Sequence, residues 1–182
     1  MVHMIDAGRV LLGLVFLCSL AGKLRGAVAF LEFRAAVGQL APALRRVRKP
    51  VAVLVVVAEA LAVTTLAVPT TAAFGFALSA SLLTVFTVGL VGVLRRGATT
   101  PCQCFGRSAP VAPRHVVRNI VLGLVSLGGL GAHLADSGAA AGRVSAGLLL
   151  DVGVAALLAL LTVMLDDWAE LFAPRPAAGE IR

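Results

Sequence analysis

The chain alternates long apolar blocks with short polar segments. Most of the blocks are close to the length of about 20 residues that a helix needs to cross the hydrocarbon core of a membrane. This pattern predicts an all-α fold, an integral membrane helical bundle with four core transmembrane helices and a fifth span. The predicted spans cover residues of about 5–24, 51–68, 72–94, 116–134 and 146–165. One multi-pass membrane domain accounts for residues 1–182, and the Pro-rich segment 166–182 is predicted to be a flexible tail.

Two details support the division into spans. Between residues 51 and 94 only Glu59 is charged, and this stretch is twice as long as one span, so Pro69-Thr70-Thr71 is the predicted turn. In the first block, Ser19-Leu20-Ala21 resembles a signal-peptide cleavage site. The amino end lacks a cationic cluster, and we therefore predict a retained helix in which Asp6 and Arg9 pair at the membrane surface.

The segment 26–49 has a different pattern. Its large apolar residues recur at three- and four-residue spacing on one helical face, whereas charged residues occupy the other faces. We predict an interfacial amphipathic helix that is interrupted near Pro42. The apolar face consists of Phe30, Phe33, Val37, Leu40, Leu44 and Val47.

Composition agrees with a membrane protein and adds an orientation. Hydrophobic residues make up 59% of the chain, charged residues only 14%, and the net charge of +7 comes from cations at the ends of the apolar blocks. The sequence has no basic patch interleaved with aromatic residues of the kind that binds single strands, so we predict no nucleic-acid partner. The segments 23–49 and 95–115 share one side and hold most cations, which predicts that this side is cytoplasmic in a cell (plasma or inner) membrane.

Cys102 and Cys104 stand one residue apart in a short polar loop of this cationic side. A disulfide between them would close a very small ring, so the pair suits thiol exchange better than stapling. Arg107 would favour the reactive thiolate, and Gly106 would let the backbone turn tightly. These residues predict a thiol-disulfide oxidoreductase site. A cytoplasmic location conflicts with a stable disulfide, so the orientation of the loop stays open.

Two other interpretations of the cysteines remain open. The two thiolates could bind Cu(I) or Zn(II) with His115 as a third ligand, or the pair could form a structural turn with inert thiols. Cys18, inside the first span, is expected to behave as a small buried hydrophobe with no role.

Glu59 lies near the middle of the second span, where an ionised carboxylate is costly. It could accept a proton or contact a quinone-like ligand. It could equally be a protonated carboxyl that is hydrogen-bonded to a neighbouring helix, or a partner of Lys23 or an arginine. His133 and Asp151 are expected at the membrane interface.

The order of these features resembles the MauE family of methylamine-utilisation membrane proteins, within the broader MauE/DoxX group. The resemblance covers residues of about 5–135 and depends on five features: the ends of the first span and of the amphipathic segment, Glu59, the Cys102–Gly106 motif, and Arg118-Asn119. It implies a four-helix membrane bundle whose cysteines, Cys102 and Cys104 here, transfer electrons or form disulfides for a partner protein. Lys23, Glu59 and Arg118 fit family positions, whereas Gln103 replaces the Gly that often separates the cysteines.

The implied partner is a protein with disulfides, or a thioredoxin-like protein. In the namesake pathway it is a disulfide-rich subunit of methylamine dehydrogenase. Two rival functions remain: a non-catalytic membrane assembly factor, and a quinone- or small-molecule-binding subunit centred on Glu59.

Overall fold

The computed structural model describes residues 2–40, 46–97, 101–102, 109–110, 112–135 and 153–160; for residues 2–4, 101–102 and 109–110 it describes the backbone only. The elements in chain order are α1 (Val2–Leu24), α2 (Ala27–Leu40), α3 (Arg48–Ala67), α4 (Ala72–Arg95), β1 (Pro101–Cys102), β2 (Ala109–Pro110) and α5 (Pro113–Ala135). A 3-10 turn over Pro69–Thr71 joins α3 to α4, and a further helical stretch covers residues 153–160.

The four long helices form a closed bundle. α1 packs against α3 and α5, and α4 completes the ring between α3 and α5, so that each helix runs antiparallel to its neighbours. Within the described residues, four helical segments are long and apolar enough to cross a membrane: Ile5–Leu24, Arg48–Ala67, Pro69–Arg95 and Pro113–Ala135. The predicted all-α membrane bundle is therefore confirmed.

The core of the bundle is apolar at its α3–α4 end. Leu12, Leu66 and Phe76 are almost completely buried there, and large apolar side chains such as Leu54, Val85 and Leu124 cover the outer surface. That outer surface is the one that lipid would cover in a bilayer. Cys18 lies on it, exposed rather than buried, so the expectation of a buried hydrophobe is wrong, since α1 turns this position away from its helix partners.

Two helix starts differ from their predicted positions. α3 begins at Arg48 rather than near residue 51, since Pro50 falls in the first turn, where a helix needs no N–H from it. α5 begins at Pro113 rather than near residue 116, because proline is well suited to the first helical position. The predicted fifth span is described only over residues 153–160, where Ala155 and Ala159 join the core. The rest of that span, Asp151 and the predicted tail lie outside the described residues.

α2 is shorter than the predicted amphipathic segment. It ends at Leu40, and its buried face includes Phe33 and Val37, as the spacing predicts. Val47 is exposed, so its assignment to the same face is wrong, because it directly precedes the first turn of α3. Residues 41–45, including Leu44 and Pro42, lie outside the described residues. α2 packs against α1, α3 and α4, and its length of 14 residues, about 21 Å, is too short to cross a bilayer.

The α3–α4 turn lies where the sequence predicts it, and Arg9 fastens α1 to it. The carbonyl oxygens that end α3 lack helical donors and need other partners. Arg9 donates to the carbonyls of Leu66, at 2.9 Å, and Ala67, at 3.0 Å, while the Thr71 hydroxyl donates to that of Thr65. Arg9 also pairs with Asp6 at 3.2 Å, which confirms the predicted i,i+3 pair.

Candidate functional site

The cysteine loop is closed by a short antiparallel strand pair between α4 and α5. Pro101 pairs with Pro110 and Cys102 pairs with Ala109. The backbone therefore brings the two ends of a six-residue connection, 103–108, side by side. Cys104, Gly106 and Arg107 lie in that connection, outside the described residues, as does the side chain of Cys102.

Both helix ends that flank this hairpin have defined caps. α4 ends at Arg95, and Gly97 follows its C-cap with a φ of +60°, the left-handed conformation in which glycine terminates helices. At the start of α5, the backbone N–H of Ala112 donates to Nδ1 of His115 at 3.0 Å, and the N–H of His115 donates to the carbonyl of Ala112. The first bond is the half of a helix-capping box in which the third helical residue accepts from the N-cap N–H. The second is a backbone turn, because Ala112 has no side-chain oxygen.

His115 is only 2% exposed, and its Nδ1 is used by this cap. Its position at the root of the hairpin is compatible with the metal alternative, in which it would join Cys102 and Cys104. Among the described residues, no group of three or more His, Cys, Asp or Glu side chains could hold a metal ion. Since the cysteine side chains lie outside the described residues, the metal alternative stays a prediction.

Arg96 contacts α2. Its guanidinium donates to the carbonyls of Gln39 at 3.2 Å and Leu40 at 3.3 Å, the last residues of α2. This arginine, one of those near the cysteines in sequence, therefore fastens the end of α2 to the end of α4. Arg95, beside it, is exposed.

A buried ion pair lies between α1 and α3. Lys23 Nζ is 2.5 Å from Glu59 Oε1, and the two side chains are 2% and 0% exposed. Ser19, one turn before Lys23, accepts from Lys23 Nζ at 2.7 Å and donates to Glu59 Oε1 at 3.3 Å. Of the interpretations of Glu59 that the sequence leaves open, pairing with Lys23 is the one that the structure shows.

Aromatic rings surround the ammonium group of Lys23. The Phe33 ring of α2 lies 4.8 Å from Nζ and the Phe86 ring of α4 lies 5.7 Å from it. Both distances are within the range of a cation–π interaction, which is strongest where water is excluded. α2 thus covers the ion pair with an aromatic side chain at the end of the bundle where α1 stops.

This ion pair belongs to the half of the bundle beneath the hairpin. Phe76 of α4 lies against Gly129 of α5, so in this antiparallel pair Phe86 comes level with Asn119. Lys23, which contacts Phe86, is therefore at the depth of Asn119, about one helical turn below His115. Arg118 and Asn119 are both buried, each 6% exposed. α1, α3 and α5 each turn polar side chains inward in this half.

Three buried oxygen atoms have no hydrogen-bond partner within the described part of the chain. They are Glu59 Oε2, Ser79 Oγ and Ser126 Oγ. Buried polar groups without partners are rare in folded proteins and are concentrated where water, ligands or function satisfy them. The free oxygen of Glu59 makes the ion pair a candidate for more than packing.

The sequence pattern placed Glu59 in a span but missed the burial of Lys23. Lys23 follows the apolar block at once and looks like an interfacial charge, whereas α1 continues to Leu24 and turns it inward. Ser19 looks like part of a cleavage site. The signal that could have found both is their spacing of four, which puts them on one face of α1.

A comparison with protein families agrees with this architecture. The family model described as methylamine utilisation protein MauE matches residues 1–132. The chain belongs to the MauE family. The match spans α1 to most of α5 and includes both cysteines, the Lys23–Glu59 pair and the buried polar residues of α5. No curated protein and no solved structure matches this MauE-family chain.

Proposed function

We propose that this MauE-family membrane protein carries out thiol–disulfide exchange with a partner protein, using Cys102 and Cys104. The observation that supports this most is the strand pair that closes the cysteine loop. Cys102 is held by its pairing with Ala109, and Cys104 follows two residues later in the loop that this pairing closes. The backbone at Cys102 is thus anchored between α4 and α5 at one end of the bundle, and Cys104 is two residues away in sequence.

The exchange needs no reactant beyond the partner's disulfide. One thiolate of the pair attacks a sulfur atom of that disulfide; the partner's S–S bond breaks and a mixed disulfide forms. The second cysteine then attacks the mixed disulfide and releases the partner as a dithiol. Two electrons pass to the partner, and Cys102 and Cys104 become the disulfide. Run in reverse, the same steps oxidise a partner dithiol to a disulfide and leave Cys102 and Cys104 as a dithiol. A thioredoxin-like protein in its disulfide form would then accept the two electrons and restore the Cys102–Cys104 disulfide.

The partner's thiol state tests the proposal. In cells that carry C102S/C104S, we expect the partner's disulfides to fail to mature while the protein still inserts in the cell membrane. C18S is the matched control, because Cys18 lies on the outer surface of α1 and should leave maturation intact. Normal partner disulfides in the double variant would instead favour a non-catalytic assembly factor.

A second candidate function is centred on Glu59 and is favoured by its burial and its unpartnered oxygen. In this alternative the carboxyl exchanges a proton or contacts a quinone-like ligand inside the bundle. Glu59→Gln keeps the shape of the side chain and removes the exchangeable proton. Loss of function in this variant, with C102S/C104S unaffected, would move the assignment from the cysteines to the ion pair.

A hydrophobic carbodiimide gives a readout of Glu59 that does not depend on activity, because it reacts with protonated carboxyls inside membranes. Modification of Glu59 in the wild-type protein, with faster modification in Lys23→Met, would show that this carboxyl binds a proton. Glu32, exposed on α2, serves as the internal comparison in the peptide map.

A further inference from the structure

A shallow apolar groove runs down the outer face of α3. It is lined by Lys49, Pro50, Val53, Leu54 and Val57. Val53, Leu54 and Val57 are between 45% and 67% exposed, whereas Ala52, Ala62 and Leu66 on the other face of α3 are buried. From Lys49 to Val57 the groove follows the helix axis for about 12 Å.

Exposed cations lie at the Lys49 end of this groove, at the start of α3. Arg46, Arg48 and Lys49 are all exposed, and the first turn of α3 contains no acidic residue. These three positive charges, within four residues at the start of α3, repel each other and the positive end of the helix dipole. An anion at this place would relieve that repulsion.

We propose that this groove is a binding site for an anionic phospholipid. The phosphate lies against Lys49, with Arg46 and Arg48 beside it, and one acyl chain follows Val53, Leu54 and Val57 towards the middle of the membrane. Lys49 suits this position because its long apolar stem can lie along the groove while its ammonium group stays among the headgroups.

Charge complementarity selects this occupant. A zwitterionic lipid offers the same acyl chains but no net charge, and each Lys or Arg near the surface adds attraction to anionic lipids. The occupant that competes on charge is the chain's own segment 161–182, with Asp166, Asp167 and Glu170. The apolar residues that precede these acids, 161–165, belong to the predicted fifth span, so they could fill the groove only if the end of that span unfolded.

The test is a titration of the purified full-length protein with phosphatidylglycerol and phosphatidylcholine of identical acyl chains, followed by native mass spectrometry. We expect phosphatidylglycerol to bind more tightly. Lys49→Gln should weaken it about fivefold, the equivalent of about 1 kcal/mol per cation near the surface. Leu54→Trp, which fills the groove, should weaken both lipids.

The controls separate this site from general lipid contact. Arg95→Gln removes an exposed cation at the same end of the bundle, and Val85→Trp enlarges an exposed residue of α4; both should leave phosphatidylglycerol binding unchanged. Equal affinity for the two lipids, or equal effects of Lys49→Gln and Arg95→Gln, would overturn the proposal. So would a preference for phosphatidylglycerol that emerges only after deletion of residues 161–182, because the segment would then be the occupant.

Discussion

At the residue scale, the Lys23–Glu59 pair is a costly arrangement. Each charge has left water, and within the described part of the chain its partner, Ser19 and two aromatic rings compensate. Breaking such a pair leaves one buried charge unmatched, which typically costs about 3–5 kcal/mol, whereas replacing both partners by apolar residues is often neutral. A buried pair is therefore weak evidence for stability and better evidence for a specific structure or a function.

We predict a strongly coupled double-mutant cycle at this pair. Lys23→Met and Glu59→Leu alone should each lower the free energy of unfolding in detergent by about 3–5 kcal/mol, and the double variant should recover most of that loss. Denaturation followed by circular dichroism measures it. Arg95→Met, which removes an exposed charge, should be nearly neutral. Additive losses in the double variant would show that the two residues act separately.

Arg96 yields a second prediction at this scale, since it supplies donors to the last carbonyls of α2. Arg96→Met should loosen the end of α2, and hydrogen exchange of its last-turn amides should accelerate about tenfold, as expected from the loss of charged hydrogen bonds. Arg95→Met is matched in size and position and should leave the exchange unchanged. Equal exchange in both variants would contradict the capping role.

At the element scale, two glycines decide how closely the helices approach. A Cβ at Gly75 of α4 would lie 2.8 Å from Leu66 Cγ and 2.9 Å from its backbone nitrogen, and a Cβ at Gly129 of α5 would overlap the Phe76 ring. Gly123, two turns before Gly129, has open space around it. Glycine is therefore required at the first two positions and merely tolerated at the third.

We predict opposite effects of alanine at these glycines. Gly129→Ala and Gly75→Ala should destabilise the bundle by about 1–3 kcal/mol through overpacking. Gly123→Ala should stabilise it by up to about 1 kcal/mol, because alanine is the better helix former. Thermal unfolding of the three variants in one detergent gives the comparison. A destabilised Gly123→Ala would mean that a neighbour covers this surface in the membrane.

The helices and turns also show how much of the fold could be predicted from the hydropathy pattern of the sequence. The helices of the bundle and the α3–α4 turn follow from hydropathy and from Pro69, because length and one proline suffice to define them. The pattern gives the inward turn of Lys23 only as one alternative among several for Glu59, since it depends on where α1 stops and on Glu59, 36 residues later. Arg96 likewise has the position of an interfacial cation, and its partners on α2 are known only once α2 and α4 meet.

At the scale of the whole molecule, the two ends of the bundle differ in charge. The end with the hairpin, α2 and the start of α3 carries Arg46, Arg48, Lys49 and Arg95, all exposed. The opposite end has the uncharged turn Pro69–Thr71 and Arg9, which is paired with Asp6. From the positive-inside rule we predict that the cationic end lies in the cytoplasm.

Single cysteines introduced on a C18S/C102S/C104S background test this predicted orientation. Thr70→Cys, in the exposed turn, should react with a membrane-impermeant maleimide in intact cells, and Arg95→Cys only after the cells are opened. The reverse pattern would place the hairpin outside. The result also fixes the resting state of the proposed site: a dithiol in the cytoplasm, where thiols are kept reduced, and a disulfide outside it.

The distance in sequence between Lys23 and Glu59 has a consequence for synthesis. Ribosomes add about 5–20 residues per second, so Glu59 is synthesised about 2–7 seconds after Lys23, the residue whose charge it neutralises. During that time the ammonium group needs water or headgroups, which the last turn of α1 can reach. The arrival of α3 then draws the end of α1 inward, and α2 follows as the cover. The final position of the first helix is thus decided by the second helix to cross the membrane.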